Sequence, residues 1–432
     1  MTPTRILVIG GGGREHALAW KLAGEPGVNA IHVAPGSAAI GAEPRVQTHP
    51  EVVALDARGL VRLARQLAIE LAIIGPEAAL AAGVADALRT AGIPTFGPSA
   101  AAARIEASKA FCRDVAAAAG VPMAEGRAFT DPAPAVAYAR ALAARLNGTA
   151  GVVVKADGLA AGKGVTVCES AGEAEVALAA IFEVGDAATS NGARAVVEER
   201  LVGPETSLIA LCDGRVAIGL PPARDHKRLL DGDGGPNTGG MGAYSPSAKV
   251  DARVDEAARD VVQRVMAMMA GEGHAFNGTL FPGLIIAPDG STSVLEFNAR
   301  FGDPETQVII PRLENDLFEV CKAAAEGRLA GIDVRWANDC AVGVNLASGG
   351  YPATYKIGYV IEGLDAVDSD VMIFHAGTKN DARGIVTNGG RVLTVVARAA
   401  TIPEARAKAY DNVRRIRFVD MQYRTDIAAG ID

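Results

Sequence analysis

No two of the five cysteines, Cys112, Cys168, Cys212, Cys321 and Cys340, are spaced as CxxC, and no histidine pattern accompanies them. A zinc site is therefore not expected; the thiols read as buried and free, as in a reducing cytoplasm. Excess basic charge is lacking too. The formal net charge is −8, which argues against a nucleic-acid or anionic-membrane surface. The apolar run in MTPTRILVIGGGG is far too short for a membrane span or a signal segment and has no basic lead-in. Internal repeats and low-complexity linkers are absent as well. What remains is a chain of 432 residues, 49% hydrophobic and 21% charged. It can bury a real core, and two to four domains are expected, since single cores seldom grow past ~250–300 residues.

Two familiar nucleotide signatures are also missing. Gly10–Gly13 sits at a strand-to-helix turn, yet G-x-G-x-x-G/A fails from either start: the last position is Glu15 or His16. The acidic residue that grips ribose is absent, because the second strand ends in Ala34–Pro35. What survives is a set of backbone N–H groups at a helix N-terminus, which can receive a phosphate or hydroxyl group. DGLAAGKGV is no Walker A loop either: Gly164 stands where Ser or Thr is required, and strands flank it on both sides. Lys155 and Lys163 bracket this glycine-rich loop, which fits a lid over polyphosphate.

The first hundred residues alternate strands (Arg5–Ile9, Ile31–Ala34, Leu71–Ile74, Pro94–Phe96) with helices (one within GGGGREHALAWKLAG with Ala17, Leu18, Trp20 and Leu22 on its apolar side, about 56–68, roughly 79–91). That order predicts a parallel, doubly wound sheet, with Glu77 at a strand's carboxyl end as a ribose ligand or a helix-entry charge. Ser108 is a plausible N-cap, and Lys109 in the following first turn is unfavourably placed, hinting at an anion. Arg224–Pro246 reads as a long polar, glycine-rich loop; Asp225, His226, Lys227 and Arg228 cluster in it. His226 is a general base or, more simply, a structural hydrogen-bonder. The helix at about 251–271 should bury Met266, Met268 and Met269. A helix is expected over Pro311–Gly327. Beyond Trp336 come short strands at Cys340–Ala347, Gly358–Ile361, Met372–Thr378 and Arg391–Ala397, with turns at SGGYP, TKN and NGG, then a final helix.

VLEFNARFGDPET, Val294–Thr306, carries the densest chemistry. On a strand Glu296 and Asn298 leave the same face, and Arg300 continues the row. Hard oxygens suit Mg²⁺, which takes few protein ligands. Arginine beside them suits a phosphate or carboxylate, although ordinary salt bridges at a strand end remain the alternative.

Taken together, GGGREHALAW, GPEAAL, FGPS, EASKAF, KADGLAAGKGV, VEERLVGPETS, DHKRLLDGDGGPNTGGMGAYSP, LEFNARFGDPETQ, FHAGT and NGGRVL resemble the glycinamide ribonucleotide synthetases (phosphoribosylamine–glycine ligases) of the ATP-grasp superfamily. The resemblance spans nearly the whole chain. It implies a multidomain α/β and α+β fold: an N-terminal parallel sheet (1–107), a central ATP-grasp fold (108–330) with a mobile lid (about 125–198), and a C-terminal α+β domain (331–432). It further implies that ATP, glycine and 5-phosphoribosylamine give glycinamide ribonucleotide, ADP and phosphate through glycyl phosphate, with Mg²⁺ or Mn²⁺, in a cytoplasmic enzyme expected to be monomeric. Lys109, Lys155 and Lys163 match phosphate-contacting positions. Glu198, Glu199 and Leu201 match the adenine hinge, and Glu205 the ribose ligand. Glu296 and Asn298 match metal ligands. Arg300, with Lys163 and Asp225, forms the candidate catalytic set. Gly12, Gly13, Arg14, Glu15, Glu77, Asp303, Lys379 and Arg391 are the candidate substrate-binding residues.

Two departures stand out. Leu284 lies near where many ATP-grasp enzymes carry another metal-binding carboxylate, and APGSAA lacks the asparagine usual after PG. The glycines of 232–242 imply an amino-acid site too narrow for a β-carbon. Rival readings are an NAD(P)-dependent oxidoreductase and a non-catalytic nucleotide sensor.

Overall fold

The computed structural model describes residues 4–146, 151–159, 164–184, 193–247, 252–287 and 289–431. The N-terminal sheet is parallel. Its strand order is Val46–Thr48, Val28–Pro35, Thr4–Gly10, Leu71–Ile74, Thr95–Phe96. Ile6–Ile9 and Leu71–Ile74 are buried on both faces, as a sheet covered on both sides requires. Strand order reverses between Thr4–Gly10 and Leu71–Ile74, so the Gly10–Gly13 turn and the Gly75–Glu77 turn meet at the switch point where such sheets bind ligands. The single helix expected at 79–91 is two, Glu77–Ala81 and Val84–Thr90, because Gly83 turns left-handed between them (φ +79°).

Two antiparallel sheets follow. One runs Gly126–Phe129, Ala195–Glu199, Val152–Ala156, Val165–Cys168, backed by helices Pro132–Arg145 and Ala171–Val184. The other runs Glu205–Ser207, Asn277–Ile286, Ala210–Asp213, Ala217–Gly219, with Thr292–Asn298 paired to Asn277–Ile286. Helix Ala252–Gly271 packs Val265, Met266 and Met269 into the core of this second sheet, with Met268 half-buried at its edge.

The expected loop at 224–246 is mostly strand. Arg224–Asp225 pairs Gly242–Ser245, which pairs Cys340–Ser348 in a six-stranded sheet completed by Arg391–Ala399, Met372–His375 and Met421–Gln422. This sheet thus draws strands from both sides of residue 331. Glycine hid them: a Cβ on Gly242 (φ +154°) would stand 2.6 Å from the Gly343 carbonyl, so close backbone approach needs the residue that sequence reading takes as a breaker. Gly358–Ile361 is no strand; only a Val360–Val386 bridge forms there. The TKN turn is instead strand Thr378–Asp381, paired with Gly384–Thr387. The helix expected over 311–327 is shorter, Leu317–Ala325, and Asp316 caps it. The five cysteines are free; four are buried and Cys340 is half-buried. Among the described residues no helix is long and apolar enough to cross a membrane.

Candidate active site

Strand Thr292–Asn298 forms the floor. Its pairing with Asn277–Ile286 slips between Gly283 and Leu284, which leaves Leu295 as an extra residue. Val294 and Phe297, three apart, are therefore both buried in one core, which a regular strand forbids. Past the bulge, Phe297 and Ala299 face the core while Glu296, Asn298 and Arg300 alternate on the other side. The strand ends at Asn298, so Arg300 reaches back instead: its Nη2 donates to Asn298 Oδ1 at 3.3 Å.

Cations surround Glu296. Lys155 donates to the bulge carbonyl of Leu295 at 3.0 Å and pairs with Glu198. Lys109 donates to the Gly158 carbonyl at 2.6 Å, which accounts for a lysine in a helix's first turn. Lys227 stands 3.4 Å from Glu205. Burial alone would raise the Glu296 pKa; Lys227, Lys155, Lys109 and Arg300 outweigh it and hold the carboxyl below its usual range. Glu296 is thus a carboxylate at neutral pH. Lys227 is held firmly charged against burial by Glu205, Glu296, Asp225 and Glu305. Lys163 lies outside the described residues.

The hinge residues separate by side chain and backbone. The Glu198 carboxylate is buried and taken by Lys155 and by Arg113 at 3.0 Å, so its side chain braces the hinge. Glu199 accepts from the Glu125 N–H at 2.9 Å. Leu201 follows strand Ala195–Glu199, and Glu205 opens the next strand, exposed.

Arg300 is the electrostatic hub. It meets Glu106 at 3.1 Å and Glu77 at 3.5 Å. Glu106 also accepts the Ala299 N–H at 2.7 Å. Beside it, Arg14 donates to Glu15 at 2.6 Å and to the Phe301 carbonyl at 3.2 Å. Glu15 accepts the Gly12 N–H at 2.7 Å and lies against Gly75, so it fills the crevice at the switch point from inside. Gly13 packs on Gln307, whose amide donates to Asp303 at 2.8 Å. Asp303 also pairs with Arg391 at 2.7 Å, and Arg391 donates to the carbonyls of Asp303 and Gly239. Arg391 thereby ties the C-terminal sheet to this loop. Lys379 is exposed on strand Thr378–Asp381.

His226 is buried near the Tyr244 ring, 6.0 Å between centroids. Burial, with Arg424 and Arg224, pushes its pKa down to about 4, so it is neutral at pH 7. Sequence reading named Lys227 only in the cluster with Asp225 and missed Glu106, Arg113, Glu305 and Gln307 at this candidate site. Three of the four had a signal: Glu106 stands in EASKAF, and Glu305 and Gln307 stand in LEFNARFGDPETQ.

Glu296 and Asn298 offer hard oxygens among cations that suit polyphosphate. Leu284 is buried and paired opposite Val294. No group of three His, Cys, Asp or Glu among the described residues is arranged to hold a metal. This donor set fits Mg²⁺ that takes most of its shell from phosphate and water.

Two antiparallel sheets facing each other across a lysine-lined, carboxylate-floored cleft define an ATP-grasp ligase. Models of the phosphoribosylglycinamide synthetase N domain, ATP-grasp (A) domain and C domain match residues 4–106, 107–306 and 341–430. The chain belongs to this phosphoribosylamine–glycine ligase family. It is 47% identical to the Allochromatium vinosum phosphoribosylamine–glycine ligase, covering 98% of this chain and 97% of that one. The Thermotoga maritima phosphoribosylamine–glycine ligase structure superposes with TM-score 0.80 at 31% identity over 98% of this chain and 100% of that one. Campylobacter jejuni biotin carboxylase, 16% identical with TM-score 0.73 over 99% and 94%, shares the fold alone. The activity is the ATP-dependent ligation of glycine to 5-phosphoribosylamine in purine biosynthesis.

Proposed function

We propose that ligation proceeds through glycyl phosphate, with the γ-phosphate seated between Lys109, Lys155 and the Glu296 strand. A glycine carboxylate oxygen attacks γ-phosphorus, and the bond to the β,γ-bridging oxygen breaks to release ADP. The phosphoribosylamine nitrogen then attacks the acyl carbon, phosphate leaves, and the nitrogen loses a proton. In-line phosphoryl transfer needs alignment and charge neutralisation more than covalent help. The observation that carries this reading is Glu296, kept ionised by four cationic side chains.

Glu296 and Asn298 would hold Mg²⁺ or Mn²⁺, which neutralises phosphate charge when bound. Arg300, fixed by Glu106 and Glu77, directs its guanidinium at the transferred phosphoryl or acyl group. The backbone near Glu198, Glu199 and Leu201 receives adenine, Glu205 the ribose, and the sheet of 126–199 acts as the lid. Gly12, Gly13, Arg14, Glu77, Lys379 and Arg391 serve the phosphoribosyl group. The test is positional isotope exchange in ATP labelled at the β,γ-bridge, with glycine and no acceptor. Glycine-dependent scrambling is expected. Its absence, while full turnover proceeds, would sink the intermediate.

Two further outcomes follow from the same seats. Arg391→Ala should raise the acceptor KM by about one to two decades, for ~1.5–3 kcal/mol of charged hydrogen bonding, and leave the ATP KM alone. A raised ATP KM with an unchanged acceptor KM would put Arg391 in the wrong seat. Alanine should replace glycine poorly. A methyl in an apolar pocket is resisted by only ~1–3 kcal/mol, whereas backbone walls near Gly239 and Gly240 cannot yield. Near-equal ADP release with alanine would refute a backbone-walled site.

A further inference from the structure

Strand Met372–His375 lies at the edge of the six-stranded sheet, and an edge strand leaves a row of backbone groups without ladder partners. Helix Gly13–Gly24, which packs on the N-terminal sheet, covers that edge. Trp20 meets Phe374 edge-on at 5.8 Å between ring centroids, and His16 meets Phe374 at 5.7 Å. The His375 N–H donates not to the sheet but to His16 Nδ1, at 2.9 Å. A backbone N–H can only donate, so Nδ1 carries no proton and the ring proton sits on Nε2. Nε2 in turn donates to Glu43 Oε1 at 3.0 Å, which locks that tautomer. His16 is 2% exposed, with both ring nitrogens engaged, and no step of the ligation uses it.

The residues after His375 form a turn that meets the substrate side of the molecule. The Ala376 N–H donates to the Val392 carbonyl at 2.9 Å and the Gly377 N–H to the Arg391 carbonyl at 3.0 Å. A Cβ on Gly377 would stand 2.7 Å from that Arg391 carbonyl and 2.5 Å from Gly389 Cα, so the backbones lie in direct contact. On its other side the turn touches the Gly12–Gly13 turn: a Cβ on Gly13 would stand 3.7 Å from Ala376 Cβ. Thr378 then opens the strand that carries Lys379, and its Oγ1 lies 3.1 Å from His375 Nδ1. Burial, with His16, pushes the His375 pKa down to about 4, so this second ring is neutral at pH 7. Contact between Trp20 and Phe374 docks the helix on the strand without help from His16. What His16 adds is a directional bond at the strand's last residue, which fixes where the turn begins.

We propose that His16, held in one tautomer by Glu43, positions the His375–Thr378 turn and thereby shapes the seat of the phosphoribosyl acceptor. It is a positioning residue and not a general base, because a backbone donor occupies Nδ1 and Glu43 takes the proton of Nε2. The inference rests on Gly13, Lys379 and Arg391 being the acceptor's seat and adds what sets that seat's geometry between the N-terminal and C-terminal sheets. Only the acceptor should feel the loss of His16, since Lys109, Lys155 and Glu296 stand on other elements.

The test uses full-length enzyme with His16→Ala, His16→Gln and His16→Asn. Alanine strands the buried His375 N–H, and glutamine places its amide where Nε2 stood, too far out to accept. Both should raise the acceptor KM by about tenfold, the scale of one stranded buried donor, and leave the ATP and glycine KM within about twofold. Asparagine puts an amide oxygen where Nδ1 stood and should bring the acceptor KM back to within about threefold of wild type. Hydrogen exchange, read on a peptide spanning residues 372–379, supplies a readout apart from activity. The His375 amide should exchange about tenfold faster with alanine and glutamine, and at the wild-type rate with asparagine. An unchanged acceptor KM despite faster exchange would overturn the positioning role, as would asparagine behaving like alanine. A lower melting temperature with all three KM values rising together would make His16 a structural tie and nothing more. Arg391→Ala, run alongside, separates the two layers. If it too leaves the acceptor KM unchanged, the seat itself is misassigned; if it alone raises that KM, only the role of His16 falls.

Discussion

Glu296→Gln should lower kcat by roughly 10²–10³, the scale of losing one charge-stabilising group at a transition state, with a smaller change in nucleotide affinity. Glutamine keeps the shape and one oxygen. It removes the negative charge on which Mg²⁺ depends when a single carboxylate contacts it, and charge on the leaving oxygen grows toward the transition state. Raising Mg²⁺ should recover part of the rate, because the site is weakened and not deleted. Folding should survive: Glu296 is half-buried at the cleft surface and its neighbouring cations keep Glu198, Glu205 and Glu106 as partners. The sign of the remaining effect is clear. The folded pKa of Glu296 is lowered, so its contribution to stability is present above the unfolded value and lost as pH falls through the folded one. The variant should therefore melt slightly lower than wild type at pH 7, and the gap should close in acid. Single-turnover kinetics and a melting curve decide it. A near-normal rate at ordinary Mg²⁺ would mean the metal is held elsewhere, and a collapsed melting temperature would make the strand a structural salt-bridge element.

Arg300→Met should be inactive and destabilised by about 3–5 kcal/mol, the usual cost of stripping one partner from a buried charge group. Arg300 compensates Glu106 at 3.1 Å and Glu77 at 3.5 Å, and methionine compensates neither. The pH dependence gives the mechanism away. Burial already raises the Glu106 pKa even with Arg300 beside it. A raised folded pKa means stability that is full below the unfolded value and lost as pH rises through the folded one. Without Arg300 that loss deepens, so the variant's deficit should be larger at pH 8 than at pH 5. Denaturant melts at the two pH values measure it. A deficit equal at both would mean that lost packing, not uncompensated charge, is the cause.

Much of this molecule is written in local sequence. The Gly10–Gly13 turn, the Gly75–Glu77 turn and the alternating elements around them define the parallel sheet and its switch point, because strand, turn and helix preferences act over a few residues. Asn298, two residues beyond Glu296, lands beside it for the same reason, and Ser108 caps its helix as read. Misreadings came where glycine served packing. At 224–246 glycines that permit close strand approach look like loop, and only the Cys340–Ser348 partner strand makes them sheet.

The charge network was decided by tertiary structure. Glu106 and Arg300 are 194 positions apart, and Arg391 reaches Asp303 across 88. No spacing rule links such residues. Which acids end up paired depends on how three sheets dock around one cleft. The sequence by itself determined the residue types, the family and the strand that carries Glu296. The Leu295 bulge, the partners of Arg300 and the unpartnered Asp225 Oδ1 arise only when distant backbone closes on them, because electrostatic energy depends on distance and burial that a chain acquires only on folding.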